Sequence, residues 1–314
     1  MKKIIYTAFL SFLLIASLTF FSCDDEVTPS LYETLPPVGE LPVKMFFNFD
    51  ENIHGLPYAI TCQSTDEVYV SVGGLGIKKI LKTPKDSLAS YAPKGGETFF
   101  NSLTFGSDGN IYAARRVRGI FQIAENTSPA AFVASAQGLE DNINDVEFDN
   151  SKNILWAGGN TGIIYSVSLS KTVNRFYSSI GNISAIKPTQ NNLYVAARDT
   201  SNKEIIWRFP IISADSLGDA EMFFNFSNSV DSLARINDIA VAEDGEVFVF
   251  TDTEKYNVIS VNSDKSFRKA FYGLITGKVY SFTWGTDNFA YFSNVIGEKN
   301  SDVWKINMGK NRAP

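Results

Sequence analysis

The feature that most constrains this chain is a single stretch of pattern that recurs six times. Arg235 to Phe250 reads RINDIAVAEDGEVFVF: a polar entry at Asn237 and Asp238, an apolar run to Val241, a turn at Glu243-Asp244-Gly245, and a second apolar run at Val247–Phe250. Asp-Gly between two β-rich runs is a strong hairpin signal, because these residues tolerate the backbone angles a tight turn demands. The pattern recurs around Tyr69, Tyr112, Trp156, Tyr194, Phe248 and Tyr291, and these aromatics lie 43, 44, 38, 54 and 43 residues apart. A period in the low forties with several strands per period is the pattern of propeller blades. A helical solenoid of that period would need apolar residues at 3.6-residue spacing, which these segments lack.

Each unit continues with a third strand, at Gly76–Ile80, Gly119–Ile123, Gly162–Val167, Glu204–Phe209, Asn257–Val261 and Asp302–Ile306. Outer strands are expected at Leu88–Tyr91, Ala131–Ala134, Val173–Tyr177, Glu221–Phe226 and Phe267–Phe271, with none following the sixth unit. The missing one is offered at the other end: VKMFFNF at Val43–Phe49 echoes EMFFNF at Glu221–Phe226. The sequence therefore predicts an all-β, six-bladed β-propeller over residues 43–314, its four-stranded blades closed into a ring by the N-terminal strand. Closure removes the free sheet edges that an open array would expose.

Ahead of the ring, Met1–Phe21 carries two lysines and then an apolar run, followed by Ser22, Cys23 and Asp24-Asp25-Glu26. A positive start, an apolar core and a small residue before the cut describe a signal peptide over residues 1–22; an uncleaved anchor is the alternative reading. Cys23 behind Ser22 resembles a lipobox, in which the thiol is acylated, with Phe20 standing where leucine is usual. Cleavage there makes Cys23 the lipidation site and the lipid bilayer a partner. The acidic triplet resembles the export signal of surface lipoproteins in one large group of Gram-negative bacteria, although acidic residues also serve as a plain solvated tether. Pro29–Pro42 holds four prolines, which makes residues 23–42 a stiff, extended spacer. The expected address is the outer membrane, lipid-anchored, facing the cell surface or the periplasm.

Composition narrows the partners. The formal net charge is −6, and it becomes more negative once Lys2 and Lys3 leave with the signal. An acidic domain without a basic stripe argues against nucleic acid. Of the two cysteines, Cys62 falls inside an innermost strand and reads as a small buried hydrophobe. The 25 phenylalanines suit blades that bury both faces. A monomer is expected.

In propellers the innermost strands start at one face, and the loops between second and third strands emerge there too. Strand entries supply Asn101, Asn144, Asp145, Ser184, Asn237 and Asp238; the loops supply Arg115, Arg116, Arg118, Arg198 and Asp199; and Glu51, His54 and Glu97 precede the first two blades. Guanidinium groups suit an anionic ligand group. Turn-capping by the Asn and Asp side chains, with solvated arginines, is the competing reading.

The ring with Asn at its strand entries resembles six-bladed propellers of the NHL-repeat type and of the gluconolactonase (senescence-marker) family. In the latter, a Glu, two Asn and an Asp hold a divalent cation such as Ca2+, and the Asp serves in catalysis. Asn101 and Asn144 match the two asparagines, but the next blade offers Ile183-Ser184, and Tyr58 stands at the entry where a Glu is needed, Glu51 lying earlier. Lyase propellers of the streptogramin type use a histidine base, and His54 is the sole histidine. The chain has no Gly-x-Ser-x-Gly elbow, P-loop or CxxC pair. The expected function is thus a non-catalytic binding protein for a glycan, small molecule or protein at one face of the disc. The alternative is a metal-dependent lactonase or hydrolase, or a lyase using His54, with Glu51 as a second catalytic candidate. Finally, Asp-Ser-Leu occurs at Asp86–Leu88, Asp215–Leu217 and Asp231–Leu233, in expected connections. It resembles the O-glycosylation acceptor of the same bacterial group, which marks Ser87, Ser216 and Ser232.

Overall fold

The computed structural model describes residues 43–50, 54–73, 75–82, 86–92, 99–115, 119–134, 137–177, 179–296 and 300–314. The signal segment, Cys23, the spacer, Glu51, Glu97, Arg116 and Arg118 lie outside the described residues.

Strand β1 (Val43–Asp50) is followed by blade one, β2 (Pro57–Ser64), β3 (Glu67–Val72), β4 (Gly76–Leu81) and β5 (Ser87–Ala92). Blade two is β6 (Ser102–Phe105), β7 (Ile111–Ala114), β8 (Ile120–Ile123) and β9 (Ala130–Val133). Blade three is β10 (Ile143–Asp149), β11 (Ile154–Gly159), β12 (Ile163–Ser168) and β13 (Val173–Tyr177). Blade four is β14 (Asn182–Pro188), β15 (Asn192–Arg198), a long β16 (Glu204–Ser213), the short β17 (Ser216–Leu217) and β18 (Glu221–Asn225), followed by the one-turn helix α1 (Phe226–Ser229). Blade five is β19 (Ile236–Val241), β20 (Val247–Thr251), β21 (Val258–Val261) and β22 (Phe267–Lys269). Blade six is β23 (Lys278–Trp284), β24 (Phe289–Ile296) and β25 (Asn300–Asn307), with β1 as its outer strand.

β1 pairs antiparallel with β25 from Val43↔Ile306 to Asp50↔Asn300, so the ring closes through the N-terminal strand as the sequence predicts. The MFFNF echo has a physical basis. In both copies the ladder skips one residue, Phe46 in β1 and Phe223 in β18, and this bulge turns two consecutive phenylalanines into the protein. The preceding methionine stays exposed in each copy (Met45 and Met222), while Phe46, Phe47, Phe223 and Phe224 are buried. A bulge re-aims a side chain that strict alternation would send to solvent.

The repeating aromatic is explained in the same way. Every one of the six meets a ring from the outer part of its own blade: Tyr69–Tyr91, Tyr112–Phe132, Trp156–Phe176, Tyr194–Phe223, Phe248–Phe271 and Tyr291–Phe46, with centroids 4.8 to 6.2 Å apart. Four of these are edge-on pairs, the geometry that ring quadrupoles favour. Trp156 is fully buried and its indole N–H donates to Asp149 Oδ2 at 3.2 Å. Truncating such a side chain to alanine costs about 3–5 kcal/mol.

Two sequence expectations change in detail. Ser87 opens β5 rather than sitting in a connection, and Ser216 lies in β17, because the third strand of blade four runs on to Ser213 and folds back as a short hairpin. Cys62 is half-buried rather than buried; its thiol donates to the Trp284 carbonyl at 2.9 Å, and burial pushes its pKa up to about 11.

Candidate functional site

The inner strands are not regular where they start. In blades one, three, four, five and six the register shifts by one residue at the entry, leaving Tyr58, Asn144, Ser184, Asn237 and Tyr280 outside the ladder. Asn101 occupies the matching place in blade two, its N–H donating to the Ala114 carbonyl at 2.8 Å. These six residues line one cavity of about 520 Å³. This size is ordinary for a small-ligand pocket. The sequence shows the asparagines; it does not show that bulges in five blades, and the matching place in the sixth, bring all six residues into one ring.

The ring has two unlike halves. Tyr280, Tyr58 and Phe99 form an aromatic side, with Tyr58 and Phe99 edge-on at 4.3 Å. Opposite stand Asn144, Asn160, Asn182, Arg198, Glu204 and Arg235. The Asn144 amide nitrogen lies 2.8 Å from the Ile183 carbonyl and 3.0 Å from the side-chain oxygens of Asn160 and Asn182. Asn237 donates to the Val279 carbonyl at 2.8 Å. The Asn101 amide nitrogen finds no partner among the described residues. Gly181, at a φ of 95°, lets the chain enter blade four against the Arg198 carbonyl, where a Cβ would collide.

One residue deeper, the side chains serve a different purpose. Ser102 bonds both the carbonyl and the N–H of Val146 on the next blade, Asp145 accepts from Ile186 N–H at 2.7 Å, Asp238 accepts from Phe282 N–H at 2.9 Å, and Ser281 accepts from Ile60 N–H at 3.3 Å. Each latches its blade to the following one. Asp145 and Asp238, read from the sequence as part of the mouth, therefore sit beneath the ring as buried latches. Between them Lys187 reaches Glu147 at 2.9 Å, Asp238 at 3.3 Å and Asp145 at 4.0 Å. Burial opposes the Lys187 charge, but the three carboxylates outweigh it and hold the ammonium firmly protonated. Burial pushes the Asp238 carboxyl upward against the pull of Lys187. From the far side the C-terminal segment crosses the channel: Arg312 bridges to Ala242 and its guanidinium donates to Glu147 at 3.1 Å.

Other sequence candidates fall elsewhere. Arg115 stacks over Phe121 at 5.4 Å and does not line the cavity, whereas Arg198 does and Arg235 joins it. His54 packs against Phe47 and Phe49, at 5.5 and 6.1 Å, in the gap between blades six and one. Ser87 and Ser232 are exposed and Ser216 half-exposed. The residue that sequence reasoning missed is Glu204, which opens β16 and lines the cavity while only 4% exposed. Burial pushes its carboxyl up to about 7, against the Arg198 charge. A charged residue at a third-strand start, opposite an arginine across a hairpin, was its one available signal.

A cation site of the gluconolactonase type does not fit these residues. The six entry positions carry no carboxylate, and no group of three or more His, Cys, Asp or Glu among the described residues is placed to hold a metal. Such sites need converging oxygen ligands with charge.

No family model matches the chain, and no curated protein matches its sequence. Solved structures do match in shape. A luciferin-regenerating enzyme superposes with a TM-score of 0.62 at 14% identity, covering 86% of this chain and 96% of that one. A streptogramin B lyase gives 0.57 at 11% identity, covering 84% and 97%. The WD40 propeller domain of Doa1 gives 0.57 at 10% identity, again covering 84% and 97%. Enzymes and a WD40 domain thus share this chain's shape, and at such identities the likeness is one of fold alone, the β-propeller that this chain builds from six blades.

Proposed function

We propose that the protein is a non-catalytic binding protein that captures a small ligand of the glycan class in the cavity at the entry face of the propeller. The observation that carries this reading is the convergence of all six entry residues on one cavity, with aromatic rings on one side and amides, Arg198 and Glu204 on the other. Rings suit the C–H face of a sugar, while amides, guanidinium and carboxylate suit its hydroxyls. His54 in an inter-blade gap offers a lyase no base at this cavity.

In the same reading, acylated Cys23 tethers the ring to the outer membrane, and the acidic triplet behind it directs the domain to the surface. Ser87, Ser216 and Ser232 are accessible to a glycosyl donor. The test is titration of the full chain in detergent micelles with a panel of neutral and acidic pyranosides. Wild type is expected to bind a member of the panel saturably, and Asn101→Ala with Tyr280→Ala to weaken that binding at least tenfold. Capture that survives both substitutions unchanged would refute the cavity as the site.

A further inference from the structure

Glu204 and Arg198 do something no other arginine–carboxylate pair among the described residues does. Arg175–Glu140, Arg208–Glu221, Arg268–Glu246 and Arg312–Glu147 close at 3.0, 2.5, 2.9 and 3.1 Å. Arg198 Nε stays 3.8 Å from Glu204 Oε1, too far for a hydrogen bond. Arg198 Nε and Glu204 Oε2 are both buried and find no hydrogen-bond partner among the described residues. Both side chains spring from paired strand positions, Arg198↔Glu204 across β15 and β16, which puts them on the same face of the sheet. The Glu204 backbone is held further by Ser227 of α1, whose hydroxyl accepts its N–H at 2.8 Å. A donor and an acceptor are thus fixed side by side, unjoined, on the wall of the cavity.

We propose that this pair is a clamp for a neutral vicinal diol: one ligand hydroxyl donates to the Glu204 carboxylate, and its neighbour accepts from the Arg198 guanidinium, both of which line the cavity. The inference rests on the small-ligand reading of the cavity and names the ligand's chemistry. An anionic group alone would meet the Glu204 carboxylate, and a cationic group alone would meet Arg198 and Arg235. Only a group that both donates and accepts suits a carboxylate and a guanidinium held side by side without a hydrogen bond between them. Tyr58, Phe99 and Tyr280 across the cavity then face the apolar side of the ring bearing the diol.

The clamp also predicts how binding responds to pH. Glu204 faces Arg198 from β15, Arg235 from the entry to β19 and Asp252 from the end of β20, and burial dominates these, raising its pKa to about 7. The clamp needs the ionised form. The competent fraction therefore falls about tenfold between pH 8 and pH 6, and affinity falls with it.

The experiment uses the full chain in micelles, with the methyl glycosides of glucose, galactose and mannose, their monodeoxy analogues, and glucuronate as the charged control. Binding is read by calorimetry at pH 8 and pH 6, and folding of each variant by its thermal transition. At least one neutral glycoside is expected to bind more tightly than glucuronate. Loss of one hydroxyl of its clamped diol should weaken it at least tenfold. Glu204→Gln and Arg198→Lys should each weaken it tenfold or more, and Glu204→Gln should abolish the pH dependence. If Asn101→Ala destroys binding while Glu204→Gln and Arg198→Lys leave it intact, the cavity stands and the clamp is wrong. Preference for glucuronate, or no neutral glycoside bound, overturns the clamp as well. Binding indifferent to Asn101→Ala and Tyr280→Ala removes the cavity reading and the clamp with it.

Discussion

Asp238, on the floor of the channel, and Glu204, on the wall of the cavity above it, are both carboxylates withdrawn from solvent, yet their oxygens meet different surroundings. Asp238 Oδ1 takes the Ile239 N–H at 2.8 Å and the Lys187 ammonium at 3.3 Å, and its Oδ2 takes the Phe282 N–H at 2.9 Å. Glu204 leaves Oε2 without a partner among the described residues and keeps Arg198 at 3.8 Å. A buried acid with every oxygen engaged holds blades together. A buried acid left half engaged works against stability unless something else completes it, and such groups collect where proteins bind.

The contrast can be broken by substitution, and the floor should give the largest effect. Lys187→Met leaves Asp145, Glu147 and Asp238 close together with Arg312, among the described residues, paired to Glu147 alone, and is expected to cost about 3–5 kcal/mol in chemical denaturation. A loss below about 1 kcal/mol would show that the floor charges are not coupled. Next, Asp238→Ala removes the acceptor of the Phe282 N–H and a partner of Lys187. It should cost about 1.5–3 kcal/mol, less when made in the Lys187→Met background, since the two share one network.

The wall should respond with the opposite sign. Folding raises the Glu204 pKa from the ordinary carboxylate range to about 7. Between those values the folded chain holds more protons than the unfolded one, so this group's contribution to stability falls as pH rises through the window. Glu204→Gln, which resembles the protonated acid, should therefore stabilise the protein by about 1–2 kcal/mol at pH 8 and leave it unchanged near pH 4. Destabilisation at pH 8 would mean that the carboxylate is as fully engaged as Asp238. The smallest effect belongs to the neutral latches: Ser102→Ala, which removes the hydroxyl's bonds to the Val146 carbonyl and N–H but leaves that N–H its bond to Asp145, should cost about 0.5–1.5 kcal/mol in the same denaturation assay.

Much of this molecule is legible without coordinates. The repeating aromatic, the Asp-Gly turns and the MFFNF echo depend on neighbours in sequence or on a repeated local pattern, and they lead to six blades and to closure by β1. Asn101, Asn144 and Asn237 were visible for the same reason, as polar residues at the head of an apolar strand. Asp145 and Asp238 looked identical to them in sequence. What separates the two sets is one step along a bulged strand, which sends the first side chain into the cavity and the second under it toward the next blade.

The sequence by itself determined the fold class, the number of units and which residues head each inner strand, because period and alternation are local properties of a chain. Only the tertiary structure decided what those residues do. Glu204 acquires its raised pKa from burial between blades four and five, Lys187 its three carboxylates from blades three and five, and Arg312 its place under the channel from the closing of the ring. Each of these depends on partners 40 or more residues away or on loss of solvent, and a linear pattern carries neither.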